Sequence, residues 1–227
     1  MNQIQIEPHD NIAILRLTHG VTNAITPEMV AELIDALSLV QKQYQGMVLA
    51  GGTKFFCIGL DLPVLLLLSR KQMTDFWRQF DRAVLDLYTL LVPTACAIAG
   101  RCLMGMNEMK IGLPVPYLAD MILRQLVGDR VTTKMAYTGE FVDPEQANTT
   151  GLVDDIFPES DMEIVALKKV AGIAAGVPEA FAYTKRSRVA GIEREFKKYV
   201  ESRLDRFLDC WFQPAGQELL QKAAEKF

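Results

Sequence analysis

The sequence predicts an α/β protein whose C-terminal part is wholly helical, and three observations carry that expectation. Two β-rich apolar runs, at residues 11–17 and 47–50, flank a stretch with apolar residues at helical spacing. A third such run, at 94–99, follows another helical stretch. From residue 161 to residue 227 the pattern is helical, with breaks only at Pro178 and Pro214.

Each element has a local cause. Ile12 and Ile14 lie in the first run. Thr26-Pro27-Glu28 reads as a helix start, with Thr26 as cap and Pro27 at the first helical position. Met29, Leu33, Ala36, Leu37 and Val40 then recur on one face, and Met47-Val48-Leu49-Ala50 follows as a strand. A strand–helix–strand unit of this kind predicts a parallel pair with a right-handed crossover. The apolar stretch after Asp61 predicts a long apolar helix through Pro63. Residues 73–90 form a second helix, with Phe76, Phe80, Val84, Leu87 and Leu91 aligned, and Pro93 ends it. Asp143-Pro144-Glu145 starts a further helix and Gly151 stops it. The expected organisation is an α/β core over residues 1–160 and a helical region over 161–227.

Composition narrows the function classes. The chain has 227 residues, 50% apolar and 23% charged, which suits one sizeable globular core. A net charge of −4 with dispersed basic residues argues against nucleic acid as a partner. Cys57, Cys96, Cys102 and Cys210 have no paired spacing and only His9 and His19 are present, so no metal is expected. The opening residues lack a secretory pattern, and the apolar run 63–68 is too short to cross a bilayer. A cytoplasmic protein without membrane attachment is the expectation.

The chemistry-bearing stretch is Phe55-Phe56-Cys57-Ile58-Gly59-Leu60-Asp61-Leu62, a strand exit running through a glycine into a helix. Such a junction aims backbone N–H groups at one point, as an oxyanion site requires. Further along come Thr22-Asn23-Ala24-Ile25, Pro93-Thr94-Ala95-Cys96-Ala97-Ile98-Ala99-Gly100, Met106-Asn107-Glu108, Tyr137-Thr138-Gly139-Glu140 and Gly151-Leu152-Val153-Asp154. These segments, in this order and over almost the whole chain, resemble the crotonase superfamily, the enoyl-CoA hydratase/isomerase family. The resemblance implies a crotonase-like (ClpP/crotonase) ββα superhelix core with a C-terminal helical trimerisation region. It also implies a coenzyme A thioester substrate, no prosthetic group, and a homotrimer or dimer of trimers. The apolar face of Val200, Leu204, Phe207, Leu208 and Trp211 is read as the surface that would bring copies together.

By that resemblance Leu60 donates its N–H to the thioester oxygen and Glu108 moves the proton. Cys57, Ile58, Gly59, Asp61 and Leu62 line the coenzyme A site, and Lys226 reaches its phosphates. Each has a plainer reading. Asp61 suits the cap of the following helix. Cys57 has no basic neighbour in sequence and reads as packing. Lys226 reads as a solvated charge, and Glu108 as a surface carboxylate paired with Lys110 or Arg101. Between apolar Met106 and Met109, though, a carboxyl should have a raised pKa, which suits a general acid/base.

One departure stands out. Relatives follow the strand ending at Gly100 with a Gly-Gly turn, a helix and another strand. Here Arg101-Cys102-Leu103-Met104 follows at once, so about 20 residues are absent, roughly one helix and one strand. That segment carries the second oxyanion N–H and, in hydratases, a second glutamate. Three readings follow: an enoyl-CoA isomerase or hydratase, a non-catalytic family member that binds coenzyme A or serves as a structural oligomer, and a sequence from which a segment is omitted.

Overall fold

A computed structural model describes residues 2–52, 54–99 and 102–225. The chain divides into two compact units: Met1–Leu60, Gln79–Cys102 and Phe157–Gly191 form the first, and Asp61–Arg78, Leu103–Ile156 and Ile192–Phe227 the second.

The first unit is built on a four-stranded sheet in the order β1-β2-β3-β4. β1 (Ile4–His9) pairs antiparallel with β2 (Ile12–Leu17), and Asp10 in the tight turn takes a left-handed φ of 53°. β1 was not anticipated from the sequence. Its inward residues Ile4 and Ile6 alternate with Gln5 and Glu7, but Pro8 obscures the pattern; proline is tolerated there because β1 is an edge strand.

β2 and β3 (Gly46–Ala50) pair in parallel across α1 (Pro27–Gln43), as expected, and β4 (Thr94–Ala97) adds in parallel to β3, two residues shorter than expected. Thr26 caps α1 by accepting the Met29 N–H at 3.1 Å. Burial drives the layering. Ala13, Leu15, Leu17 and Met47 pack against Met29, Ala36, Leu37 and Val40 of α1 and against Leu90, which follows α3 (Arg70–Thr89). On the opposite face Ile12, Ile14, Val48, Ala50 and Ala97 pack against Ala166 and Val170 of α6 (Glu159–Ala174). A parallel sheet covered on both faces explains why β3 reads as a continuous apolar run.

Arg16 ties three elements of this unit together. Its guanidinium donates to Glu7 of β1 at 2.6 and 2.9 Å and to Glu163 of α6 at 2.7 and 2.9 Å. This forked geometry is specific to arginine.

The second unit contains a small antiparallel ribbon, β5 (Met104–Gly105) with β6 (Phe141–Val142), and a 3₁₀ turn at Glu108–Ile111. The long apolar helix expected through Pro63 is a single turn, α2 (Leu62–Leu65). A new helix restarts at Arg70 because Ser69 and Gln72 form a reciprocal cap: the Ser69 N–H donates to Gln72 Oε1 and the Gln72 N–H to Ser69 Oγ. α4 (Tyr117–Thr138) is broken at Gly128, whose φ of 79° and ψ of 165° are non-helical. α5 (Pro144–Thr150) has the expected Asp143 cap and left-handed Gly151 stop. α7 (Pro178–Phe212) and α8 (Pro214–Ala224) complete the chain, with breaks at the expected prolines.

The apolar face expected to gather copies is occupied within the chain. Leu204, Phe207, Leu208 and Trp211 are buried, and the Phe207 ring sits edge-on to Trp77 at 4.3 Å between centroids. This face therefore supplies core and does not itself ask for a second copy.

Acid titration tests the Arg16 clamp. Its hydrogen bonds hold the Glu7 and Glu163 carboxyls below the usual glutamate value of 4.5. Stability from a lowered pKa is present above the unfolded value and is lost as pH falls through the folded one. Arg16→Met should therefore be less stable than wild type at neutral pH, with the difference closing below pH 4.5. Both carboxylates are partly solvated, so screening keeps the effect small, about 1 kcal/mol or less per pair. Urea unfolding across the pH range that showed a constant difference would contradict the clamp.

Candidate functional site

β3 delivers the chain into the loop at residues 51–60, and the turn between β2 and α1 holds that loop. Gly51 makes the close approach possible: a Cβ there would lie 2.5 Å from Phe56 Cα. Asn23 is fully buried and left-handed, with φ 49°. Its Oδ1 accepts the His19 N–H at 2.8 Å, while Nδ2 donates to Phe56 O at 3.0 Å and Phe55 O at 3.4 Å. Two backbone bonds complete the join, Ile58 N–H to Thr22 O at 3.1 Å and Ile25 N–H to Gly59 O at 2.8 Å.

The last of these orients Leu60. In a planar trans peptide the C=O and the following N–H point in opposite directions. With Gly59 O fixed on Ile25, the Leu60 N–H is turned away from the Thr22–Ile25 turn. Gly59 meets this demand with φ 98°, a conformation that side chains rarely adopt. Leu60 is half-buried, and its N–H has no hydrogen-bond partner among the described residues. A donor left free while the Ile58 and Gly59 N–H groups before it are engaged is what an oxyanion site needs.

The other residues named from the sequence sort as follows. Cys57 Sγ accepts the Gly59 N–H at 3.3 Å, and burial pushes its thiol up, so it packs the loop and is no nucleophile. Ile58 is exposed and Gly59 half-buried, beside Leu60 in the first unit. Asp61 caps α2 by accepting the Val64 N–H at 3.1 Å, and Leu62, the first residue of α2, is buried. Lys226 and the Gly100–Arg101 junction lie outside the described residues.

Glu108 opens the 3₁₀ turn of the second unit, with the Leu113 N–H closing on its carbonyl at 2.9 Å. Its Oε2 is buried without a hydrogen-bond partner among the described residues, and it forms no ion pair with Lys110, whose stem instead lies along Gly139. Burial pushes the carboxyl above its usual value, and its own backbone N–H offsets only part of this. Met104 and Met106 are half-buried near it in sequence, and Met109 is exposed. Sequence reading missed Asp81 on α3, whose carboxyl is pushed up to about 7 by burial alone. Its only signal was an acid placed between apolar Phe80 and Ala83-Val84. Among the described residues no group of His, Cys, Asp and Glu could hold a metal ion, and no helix is long and apolar enough to cross a membrane.

This loop on this sheet defines a crotonase-type fold. The human mitochondrial Δ3-Δ2-enoyl-CoA isomerase structure superimposes with a TM-score of 0.94 at 21% identity, covering 99% of this chain and 97% of that one. The enoyl-CoA hydratase of Bacillus halodurans gives 0.87 at 17% identity, covering 97% and 99%. The chain belongs to the enoyl-CoA hydratase/isomerase family, whose sequence profile matches residues 7–105 and again 103–226. Among relatives, it is 27% identical over 221 residues to the probable enoyl-CoA hydratase EchA17 of Mycobacterium tuberculosis, covering 84% of each chain. It is 22% identical over 196 residues to mitochondrial enoyl-CoA delta isomerase 1 of Homo sapiens, covering 74% of this chain and 65% of that protein, just under two thirds of its length.

The burial of Glu108 predicts a stability cost. Its pKa rises from the usual 4.5 on folding, so the folded chain loses stability as pH climbs from 4.5 through the folded value. Glu108→Gln carries no charge to bury. It should match wild type in acid, at about pH 4, and exceed it at neutral pH. Parallel pH profiles in urea unfolding would show that the carboxyl is solvated.

Proposed function

We propose that the chain acts on coenzyme A thioesters as an enoyl-CoA isomerase or hydratase, with the isomerase reaction favoured. The observation that carries this is the buried Glu108 Oε2, which no described residue satisfies. A family member that keeps one desolvated carboxyl retains what a proton shuttle needs. In the isomerase reaction Glu108 takes a proton from C2 of a 3-enoyl thioester. The electron pair moves to the thioester oxygen, where the Leu60 N–H stabilises the dienolate. The same carboxyl then returns the proton at C4 and the double bond ends between C2 and C3. No water is consumed, so no second carboxylate is required, whereas the family's hydratases use two glutamates.

We further propose that the family segment following Gly100 is absent from this protein. The profile matches in two stretches that meet at residues 103–105, which is how a profile behaves when an internal piece is skipped. Thr94 and Cys96, paired in register with core-facing Met47 and Leu49, are themselves exposed, as expected where a covering helix is lost. The second oxyanion donor belongs to that segment. Losing such a donor lowers turnover by about 10²–10³, so a slow enzyme is expected.

The test is a panel of 2-enoyl- and 3-enoyl-CoA thioesters with isomerised and hydrated products separated. Slow interconversion of the double-bond positions is expected, and Glu108→Gln should abolish it while leaving coenzyme A affinity within about twofold. A variant retaining a tenth of the wild-type rate would remove Glu108 from the reaction. Binding of coenzyme A with no turnover on any ester would favour a non-catalytic binding role.

A further inference from the structure

We infer that Asn23 is a positioning residue for the oxyanion donor, acting through the loop and not on the substrate. The inference rests on the proposed role of Leu60, and its observations are independent of that role. A carboxamide with no solvent exposure is costly unless satisfied, and Asn23 is satisfied on both sides. Its acceptor takes the His19 N–H from its own turn, while its two donors reach successive carbonyls, Phe55 O and Phe56 O, more than thirty residues away. The side chain thus welds the two segments between which the Leu60 peptide is set.

Its backbone matters as much. A left-handed non-glycine residue is uncommon, and asparagine is among the few that adopt the conformation readily. Asn23 uses it to turn the chain between Thr22 and Ile25, whose carbonyl and N–H grip Ile58 and Gly59 respectively. The loop is therefore held at four positions, Phe55, Phe56, Ile58 and Gly59, immediately before the Leu60 N–H, which has no partner among the described residues. Removing the carboxamide frees the loop's upstream half and lets the Gly59–Leu60 plane rotate. Misplacing a reacting group by about 1 Å costs up to about 100-fold in rate.

Two variants separate backbone from side chain. Asn23→Gly keeps the left-handed turn without strain and deletes the carboxamide. Asn23→Asp keeps the acceptor for His19 and sets a carboxylate against two carbonyls. Both should lower kcat by about tenfold to 100-fold with KM for the enoyl-CoA ester little changed, and with the acid limb of the pH profile unmoved. The carbonyl stretch of a bound, carbonyl-labelled enoyl-CoA, shifted down in wild type by the Leu60 N–H, should move back toward its free value in both variants. Amide exchange at Ile58 should rise about tenfold in Asn23→Gly while Met47 in the sheet is unchanged. Unchanged kcat in folded Asn23→Gly, or a KM that rises in step with the fall in kcat, would overturn the inference. If wild type shows neither turnover nor a carbonyl shift, the reading of Leu60 fails, and Ile58 exchange alone decides whether Asn23 holds the loop. Should neither variant fold, exchange of the wild-type Asn23 side-chain amide protons decides: protection supports the weld, and exchange as fast as that of exposed Asn2 overturns it.

Discussion

Everything at the loop depends on the direction of one peptide plane, Gly59–Leu60, and one hydrogen bond sets it. That bond comes from Ile25, so the position of Ile25 is the quantity the fold has to control. Thr26, the next residue, caps α1 and donates to Gln3 Oε1 at 2.8 Å. The N–H groups of Gln3 and Ile4 in turn both donate to Glu32 of α1, at 2.7 and 2.9 Å. The edge strand, the helix start and the turn are thereby locked into one frame. The otherwise marginal strand β1 thus has a consequence at the loop: it fixes where α1 begins, and α1 fixes Ile25.

The opposite economy governs Glu108. Leu60 gains from being left unpaired because an N–H dipole costs little in a half-buried place. A carboxylate oxygen out of reach of water costs more, and the fold meets part of that cost by raising the pKa. The carboxyl sits on a short 3₁₀ turn that ends at left-handed Gly112, and its own backbone N–H offsets only part of the rise. Had Lys110 turned inward instead of lying along Gly139, it would have paired with the carboxylate. The chain has given up stability at this position, and structural ion pairs such as Arg16 with Glu7 and Glu163 are kept to other surfaces.

What was legible in the sequence follows from the range of the forces involved. The caps at Thr26, Asp61 and Asp143 and the stops at Gly151, Pro178 and Pro214 act over a few residues, and each falls where its residue type places it. Parallel pairing of β2 and β3 followed from the intervening helix. The run after Asp61 misled because its hydrophobicity suggested one long helix, whereas α2 closes at Leu65 and the Ser69–Gln72 cap, equally present in the sequence, starts a separate helix at Arg70. The tail's apolar face misled differently: periodicity says that a face must be buried, and not by what. Asn23 read as a connector because the two carbonyls it holds lie far along the chain, and no local pattern encodes such a contact. Asp81 shows the same limit, since its burial is a property of packing alone.

The subtraction proposed after Gly100 would be felt first on the exposed face of β4. Ala95 and Ala97 face α6, where small side chains let the helix approach, while Thr94 and Cys96 continue the row of Met47 and Leu49 and lie open. A strand with one face packed and one edge unpaired among the described residues invites pairing with another chain. β4 limits that hazard by being only four residues long. Most bonds that hold the loop around Leu60 come from the turn between β2 and α1, on the far side of β3 from β4, while Cys102, which follows β4, also meets the Phe56 backbone. Under the proposed subtraction beyond β4, the second donor would be lost while the Ile25 bond still aims the Leu60 N–H, which would then work alone.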